Sequence, residues 1–274
     1  MSDTKKGRNP GASRRKRGKG KRKKRVMGAM ELLLMGAALC VLAVSLWKLG
    51  GILLEYRAGA DAYAELKGYA LLETEEEVSQ DDFLMMDVDF DALAAINGDF
   101  VAWFSLPVLE LDYPVVQGAD DEYYLTHTFE GKENSAGTIF MDSGANPDLT
   151  DFNTFLYGHN MKNGSMFGKL KQFGRDDRLC DSDPYFYLYT AEAAYRYRII
   201  SYYVTADGSS AYFKPATQEE YGDYVRQVLS STPYDPQTPL PEGPMVTLST
   251  CYGQAGSVQR FVVHGVLEET RKGE

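Results

Sequence analysis

The N-terminal part of the chain divides sharply by polarity. Residues 5–25 contain Lys, Arg, Gly, Ser and Pro with almost no apolar side chain, so they cannot bury a core and are predicted to be disordered. Val26–Trp47 is apolar apart from Glu31, and Leu49–Leu54 continues the run beyond Lys48. A helix of about 20 apolar residues spans the hydrocarbon core of a membrane. The pattern therefore predicts a transmembrane helix that follows a disordered arm.

Helical patterns continue after the apolar run. Tyr56–Leu72 is rich in Ala, Glu and Leu and lacks Pro, which favours a helix. The acidic segment 73–82 is typical of a linker, and Asp89 then precedes apolar residues at helical spacing, as an N-cap does. Residues 55–97 are therefore predicted to be mainly helical.

From Phe100 onward the pattern changes to short apolar runs separated by Gly, Pro, Asn and Asp. The runs are VAWFSL, YPVV, GTIFMD, TFLYG, YFYLYT, YRYRIISYYV, MVTLST and RFVVHGVL. Several short strands with turn residues between them favour a sandwich or a barrel. One helix interrupts them, because Thr217 and Glu220 form a capping-box pattern ahead of apolar residues at helical spacing.

The charge distribution separates the two ends of the chain. The 274 residues include 29 basic and 39 acidic side chains, a net charge of −10, yet the first 25 residues contain 13 Lys or Arg and a single acid, Asp3. The remainder therefore carries a net charge of −22. A dense basic cluster beside a transmembrane helix marks the cytoplasmic side. A nucleic-acid-binding arm is the competing interpretation, and the apolar run that follows the cluster argues against it.

Four segments follow from these patterns. We expect a cytoplasmic basic tail over 1–25, a transmembrane anchor over 26–54, an extracellular helical lead-in over 55–97 and a mostly β domain over 98–270. A cleaved signal peptide is the alternative to the anchor, since Ala43–Ser45 is a small-x-small site. The basic region is long for a signal peptide and apolar residues continue past that site, which favours an uncleaved anchor.

The cysteine and histidine counts narrow the possible chemistry. Three Cys and three His argue against a disulfide-rich scaffold and against a metal centre built from several of these residues. Cys251 ends the run MVTLSTC, and alternation along the strand puts Thr247, Ser249 and Cys251 on one face. A thiol at a strand end beside a Gly-containing loop is well placed to meet a substrate. The structural alternative is a small buried hydrophobe.

A nucleophilic Cys needs a base or a cation nearby to raise its thiolate fraction. His159 lies in YGHN directly after a strand, whereas His264 shares a strand face with Arg260 in RFVVHGVL, so both are candidates. Arg260 comes nine residues after Cys251, and the loop between them is short enough for a hairpin that places the two strands side by side. A guanidinium held there can stabilise a developing oxyanion.

The order of these motifs along the chain resembles that of a sortase of class B. The resemblance rests on the anchor, YGHN, TLSTC and an Arg that opens the terminal strand, together with DFDALAAINGDFVAWF and LDYPVVQGADDEYYLTHTFEGKENSAGTIFMD. It covers roughly residues 60–270. The resemblance implies a closed eight-stranded β-barrel with N-terminal helices and one helix inserted between two late strands, here over about 217–230.

The resemblance also implies a cysteine transpeptidase on the outer face of a Gram-positive membrane. Cys251 would attack the Thr carbonyl of a C-terminal sorting motif related to NPQTN and form a thioester. His159 would transfer the proton, and Arg260 would stabilise the oxyanion. The implied partners are secreted proteins that bear the motif, a cell-wall precursor peptide as the amine, and membrane lipid around the N-terminal helix. Nucleic acid, metal and cofactor have no part in this mechanism.

Four further residues are expected at the substrate groove. Leu125 and Ser249 match groove positions of class B, and the Tyr252 backbone N–H is a second candidate donor to the oxyanion. Asp121, in DDEYYL, stands where class B members often have Asn. An ionised carboxylate only accepts hydrogen bonds whereas an amide also donates, so the motif preference at that position stays open.

Two other functions remain open from the sequence. One is a pilin-polymerising or single-substrate sortase, in which a Lys of another protein is the acceptor amine. The other is a non-enzymatic, membrane-tethered β-domain whose Cys is structural.

Overall fold

The computed structural model describes residues 28–72, 83–176, 178–236, 239–254 and 256–272. The basic stretch 5–25 and the acidic segment 73–82 lie outside these residues. The α-helices of the described part are α1 (Ala29–Leu66), α2 (Phe90–Ile96), α3 (Arg178–Ser182) and α4 (Gln218–Ser231). Its strands are β1 (Ala70–Leu72), β2 (Met86–Val88), β3 (Phe100–Leu106), β4 (Leu111–Val116), β5 (Ile139–Met141), β6 (Asn153–Tyr157), β7 (Tyr185–Tyr189), β8 (Ala193–Ala206), β9 (Met245–Cys251) and β10 (Gln259–Lys272).

The first part of α1 is the predicted apolar helix. Its large side chains are exposed, Trp47 to 78% and Leu33 to 75%, which is the reverse of a core helix in a globular protein. By length and composition α1 can cross a membrane.

The C-terminal turns of α1 are tied to the loop that precedes β5. The Tyr63 hydroxyl donates to the Gly137 carbonyl at 2.5 Å and lies 3.0 Å from Thr138 Oγ1. The Ser135 N–H donates to Glu55 Oε1 at 2.8 Å. Burial raises the pKa of Tyr63, so its hydroxyl remains a proton donor to the carbonyl. These turns therefore belong to the folded domain.

α1 ends earlier than the sequence pattern predicts. The predicted helix over Tyr56–Leu72 gives way near Gly68 to a short 3-10 turn, and its last three residues form β1, which pairs antiparallel with β2. Gly lowers helix propensity, and the strand pairing satisfies the backbone groups instead. α2 begins as predicted, because Asp89 Oδ1 accepts a hydrogen bond from the Ala92 N–H at 2.9 Å.

Eight strands form a closed barrel in the order β10-β8-β7-β3-β4-β5-β6-β9. Each of the eight predicted apolar runs overlaps one of these strands, so the predicted barrel is confirmed. Its core contains large, fully buried side chains such as Trp103, Phe104 and Phe186. β6 and β9 run parallel, β9 and β10 antiparallel, and these three neighbours carry the candidate chemistry.

α4 covers part of the outer face of the barrel and confirms the predicted helix between two late strands. Thr217 caps it, because Oγ1 accepts from the Glu220 N–H at 3.2 Å. Glu220 reaches back to the Ala216 N–H at 2.8 Å. The apolar layer beneath the helix consists of Ile200, Tyr221, Tyr224, Val228, Met245 and Val266. α4 therefore shields the Met245 end of β9.

Candidate active site

β9 and β10 form the hairpin predicted around Cys251. The antiparallel register pairs Arg260 with Cys251 and His264 with Thr247, so these four side chains share one face of the hairpin. At the His264 end, Tyr224 of α4 stands edge-on to the imidazole with ring centroids 6.2 Å apart. At the other end Cys251 is exposed and free. Cys251 is thus an accessible thiol rather than a small buried hydrophobe.

The parallel pairing of β6 with β9 brings His159 to the same place. Tyr157 pairs with Ser249, and the Gly158 N–H continues the ladder by donating to the Ser249 carbonyl at 3.2 Å. The same offset, continued two residues beyond β6, sets the His159 backbone level with Cys251. Both residues line the same cleft although they are far apart in the chain.

The position and the tautomer of His159 follow from its neighbours. A Cβ at position 158 would overlap the side chains of Ile139 and Phe167, so Gly158 lets the chain pass close to the barrel. His159 Nε2 lies 2.7 Å from the Leu125 carbonyl oxygen, which can only accept, so Nε2 carries a proton in this geometry. Nδ1 has no hydrogen-bond partner within the described part of the chain. The ring therefore presents Nδ1 as its free nitrogen.

The Arg260 guanidinium is held at the turn between β9 and β10. Nη1 donates to the carbonyls of Ser257 at 3.0 Å and Gln259 at 3.2 Å. Nη2 donates to Asp207 Oδ2 at 2.8 Å. The Arg260 side chain is only 21% exposed, so a permanent positive charge has a defined position next to the Cys251 strand.

One open cleft of about 340 Å³ contains the thiol, the imidazole and the guanidinium. Six of the seven residues singled out from the sequence line it, namely Asp121, Leu125, His159, Ser249, Cys251 and Arg260. The tertiary structure therefore brings together residues from four separate stretches of the chain. A thiol nucleophile, a proton-transfer group and a fixed cation in one cleft are suited to acyl transfer.

Tyr252 is the exception among the predicted residues. Its backbone N–H donates to the Gln259 carbonyl at 2.9 Å as part of the hairpin, so it is not available to an oxyanion in this conformation. Its ring stacks on Phe261 with centroids 6.1 Å apart, and Tyr252 is not part of the cleft lining. Of the two predicted oxyanion donors, the cleft contains Arg260.

Sequence reasoning missed Tyr157, Tyr212 and Asp207, which also line the cleft. The Tyr212 hydroxyl lies 2.7 Å from Ser249 Oγ, so the predicted groove hydroxyl already has a partner. Burial raises the pKa of Tyr212. Asp207 and Tyr212 come from the connection between β8 and α4, whose course has no sequence signature. Tyr157 begins the YGHN motif, and that position was the available signal.

The family model described as the sortase domain matches residues 104–268, more than half of the chain. The chain belongs to the sortase family. It is 27% identical over 243 residues to sortase B of Listeria monocytogenes, covering 85% of this chain and 96% of the relative. The crystal structure of sortase B from Bacillus anthracis in complex with AAEK1 matches with a TM-score of 0.65 and 30% identity, over 79% of this chain and 99% of that one. The Staphylococcus aureus sortase B–substrate complex matches with a TM-score of 0.61 at 24% identity, over 66% and 84% of the two chains, and supports the fold alone.

These similarities make this sortase a cysteine transpeptidase of class B, as its motifs predicted. The hypothesis of a non-enzymatic, membrane-tethered β-domain is therefore wrong. The closed barrel and the inserted helix of this sortase agree with the fold of the class B structures.

His264, the alternative base, is fully buried in this sortase. Thr247 Oγ1 gives its proton to Asn153 Oδ1 at 2.8 Å, so it accepts from His264 Nδ1 at 2.9 Å. His264 Nε2 is a buried nitrogen with no hydrogen-bond partner in the described part of the chain. Burial lowers the pKa of His264 to about 3. A neutral imidazole enclosed in this way cannot exchange protons with a substrate in the cleft.

Because His264 is buried, the free energy of unfolding of this sortase should depend on pH in the acid range. The unfolded chain binds a proton at this side chain below about pH 6.5, whereas the folded chain does not until about pH 3. The free energy of unfolding therefore falls as the pH falls between these values, by about 1.4 kcal/mol per unit for this group. We expect His264→Asn to remove that part of the slope between pH 6 and pH 4 in denaturant unfolding. If the free energy of unfolding had the same pH dependence in the variant and in the unsubstituted chain, His264 would not be the buried neutral group described here.

Proposed function

We propose that this sortase is a membrane-anchored, extracellular transpeptidase whose catalytic residues are Cys251, His159 and Arg260. One observation carries the proposal: an exposed thiol, an imidazole with a free Nδ1 and a fixed guanidinium share one cleft. These groups correspond to the nucleophile, the proton-transfer group and the oxyanion donor of acyl transfer. The donor substrate is a secreted protein with a C-terminal sorting motif of the NPQTN type, cleaved after Thr.

The first half of the reaction forms a thioester. The Cys251 thiolate attacks the carbonyl carbon of the motif Thr, and Arg260 stabilises the oxyanion that develops. The His159 imidazolium donates its Nδ1 proton to the leaving amine, and the C–N bond breaks. The Leu125 carbonyl accepts from Nε2–H, which orients the ring. The acyl group remains on Cys251.

The second half transfers the acyl group to an amine. The amine attacks the thioester carbonyl, again through an oxyanion beside Arg260, and His159 Nδ1 takes up its proton. The C–S bond breaks and the Cys251 thiolate is regenerated. The acceptor in this proposal is a cell-wall precursor peptide. A Lys side chain of another protein is the acceptor in the alternative of a pilin-polymerising or single-substrate sortase.

The first part of α1, up to residue 54, serves as the membrane anchor in this proposal. Its exposed apolar side chains suit contact with lipid, and the basic tail over 1–25 suits the cytoplasmic side. The lead-in over 55–97 and the catalytic domain over 98–270 then lie outside the membrane of a Gram-positive cell. Secreted substrates and wall precursors are available on that side.

Asp121, Leu125 and Ser249 are proposed to bind the sorting motif. The Asp121 carboxylate accepts from the Ser143 N–H at 2.7 Å, and no salt bridge joins it to a cation of the described residues. The other carboxylate of the cleft wall, Asp207, is paired with Arg260. Asp121 therefore contributes an uncompensated negative charge, which favours a basic over an acidic residue in the motif.

A peptide panel tests the proposed function and this preference together. The panel holds Pro and Thr of the motif constant and places Lys, Gln or Glu at each other position, with a wall-type peptide amine or a Lys-bearing protein as the acceptor. We expect cleavage after Thr, transfer to the wall-type amine, and kcat/KM about 1.5- to 5-fold higher for Lys than for Glu at one position, since exposed ion pairs are worth about 0.2–1 kcal/mol. In Asp121→Asn the ratio of kcat/KM for Lys over Glu should fall to about 1.

Asp120→Asn is the matched control for this panel. The Asp120 carboxylate is exposed and accepts from the N–H groups of Glu122 and Tyr123, and it is not part of the cleft lining. An unchanged Lys-to-Glu ratio in Asp121→Asn, or an equal loss in Asp120→Asn, would contradict the role of Asp121. Transfer to the Lys-bearing protein alone would favour the alternative acceptor.

A further inference from the structure

Asp207 lies on the side of Arg260 that faces away from Cys251. In the sheet, Arg260 is flanked by Cys251 on β9 and by Thr205 on β8. Asp207 follows the end of β8, and its backbone N–H donates to the Val258 carbonyl at 2.8 Å. The carboxylate is therefore carried by backbone that is hydrogen-bonded to the same hairpin as Arg260.

The hydrogen bonds of Arg260 account for three of its five N–H groups. Both Nη1–H groups go to backbone carbonyls, and one Nη2–H goes to Asp207 Oδ2. Nε–H and the second Nη2–H have no partner in the described part of the chain. The contacts through Nη1 restrain one terminal nitrogen of the planar group, and the contact with Asp207 restrains the other, Nη2. Because Arg260 lines the cleft, the two remaining N–H groups are the ones left to donate to an oxyanion there.

We propose that Asp207 is a positioning residue that orients the Arg260 guanidinium for oxyanion stabilisation. Asp207 is 58% exposed and Arg260 21%, so the ion pair adds little to the stability of the fold. Its effect lies in geometry, because displacement of a catalytic group by about 1 Å can cost about 100-fold in rate. This inference rests on the proposed role of Arg260, through which Asp207 acts.

The test compares Asp207→Ala with Asp207→Asn in the detergent-solubilised full chain, with an NPQTN peptide as the substrate. Asn keeps an oxygen that accepts from Nη2–H, whereas Ala removes the acceptor. We expect Asp207→Ala to lower kcat about tenfold with KM changed less than about twofold, and Asp207→Asn to stay within about threefold of the unsubstituted enzyme. Neither variant should shift the midpoint of thermal unfolding.

Two further variants separate positioning from general effects. Asp223→Ala removes an exposed carboxylate that pairs with Arg226 on α4, away from the cleft, and should leave kcat unchanged. In an Arg260→Ala background, Asp207→Ala should cause no additional loss, because the group through which it acts is gone.

The inference is overturned if Asp207→Ala leaves kcat unchanged or raises it. It is equally overturned if Asp207→Asn loses as much as Asp207→Ala, or if the loss persists in the Arg260→Ala background. If instead the proposed function is wrong, Cys251→Ala or Arg260→Ala retains the activity of the unsubstituted enzyme, which distinguishes the two cases.

Discussion

Cys251→Ala is expected to abolish cleavage of an NPQTN-type peptide and transfer to an amine, because no other exposed thiol of the described domain lies in the cleft. The thiolate forms the covalent intermediate, so its removal leaves no acyl-enzyme rather than a slower one. Product release measured by mass spectrometry should fall to the uncatalysed level. Intact-mass analysis should detect an acyl adduct on the unsubstituted enzyme and none on the variant.

Cys180→Ala is the matched control for the thiol. Cys180 is 1% exposed and packs in the core, and burial raises the pKa of its thiol, so it is a poor nucleophile. We expect Cys180→Ala to lower the stability of the fold and to keep turnover near that of the unsubstituted enzyme. A thiol-reactive probe should label Cys251 much faster than Cys180. Labelling of Cys180 at the same rate as Cys251, or turnover in Cys251→Ala, would contradict the assignment of the nucleophile.

His159→Ala is expected to lower kcat/KM by at least about 100-fold, the usual size of a general acid–base contribution. His159 is the histidine of the cleft, and the variant loses both the proton donor to the leaving amine and the base for the incoming amine. The loss should appear in both half-reactions, which single-turnover acylation and thioester transfer measure separately. The thermal midpoint should change little, because the ring is partly exposed and makes one hydrogen bond.

His127→Ala is the control for this experiment. His127 stacks on Tyr123 with ring centroids 4.0 Å apart and is not part of the cleft lining. Its loss should therefore leave turnover near normal. Near-normal turnover in His159→Ala, together with a loss in His264→Asn that exceeds its effect on folding, would sink the assignment of His159.

Much of the barrel could be predicted from the sequence because strand signals are local. Each of the eight runs is bounded by turn residues within a few positions, and each overlaps a barrel strand. The caps at Asp89 and Thr217 were recognisable for the same reason. β1 was not, since its three residues follow a helix directly and its partner β2 comes from beyond the acidic segment. A pairing of that kind depends on the register between distant residues.

In the candidate site, too, features set by neighbouring residues could be predicted and features set by tertiary contacts could not. Alternation on β9 and the short loop to Arg260 determined that the thiol and the guanidinium lie side by side, because a hairpin leaves few other registers. The sequence left two candidates, His159 directly after a strand and His264 on the strand face of Arg260, and the resemblance to sortases favoured the first. The two histidines differ because of the tertiary structure. α4 covers His264 at one end of the hairpin face, whereas β6, which runs parallel to β9, ends beside the open end, where His159 follows it.

The sequence by itself therefore predicted the strands, the caps and the hairpin that sets Cys251 beside Arg260, all of which depend on residues close together in the chain. Only the tertiary structure decided that His264 is buried while His159 lines the cleft, that the Tyr252 N–H is already engaged, and that Asp207 and Tyr212 border the cleft. Those outcomes depend on how the barrel closes and where the β8–α4 connection crosses it. Neither is encoded in a pattern of adjacent residues.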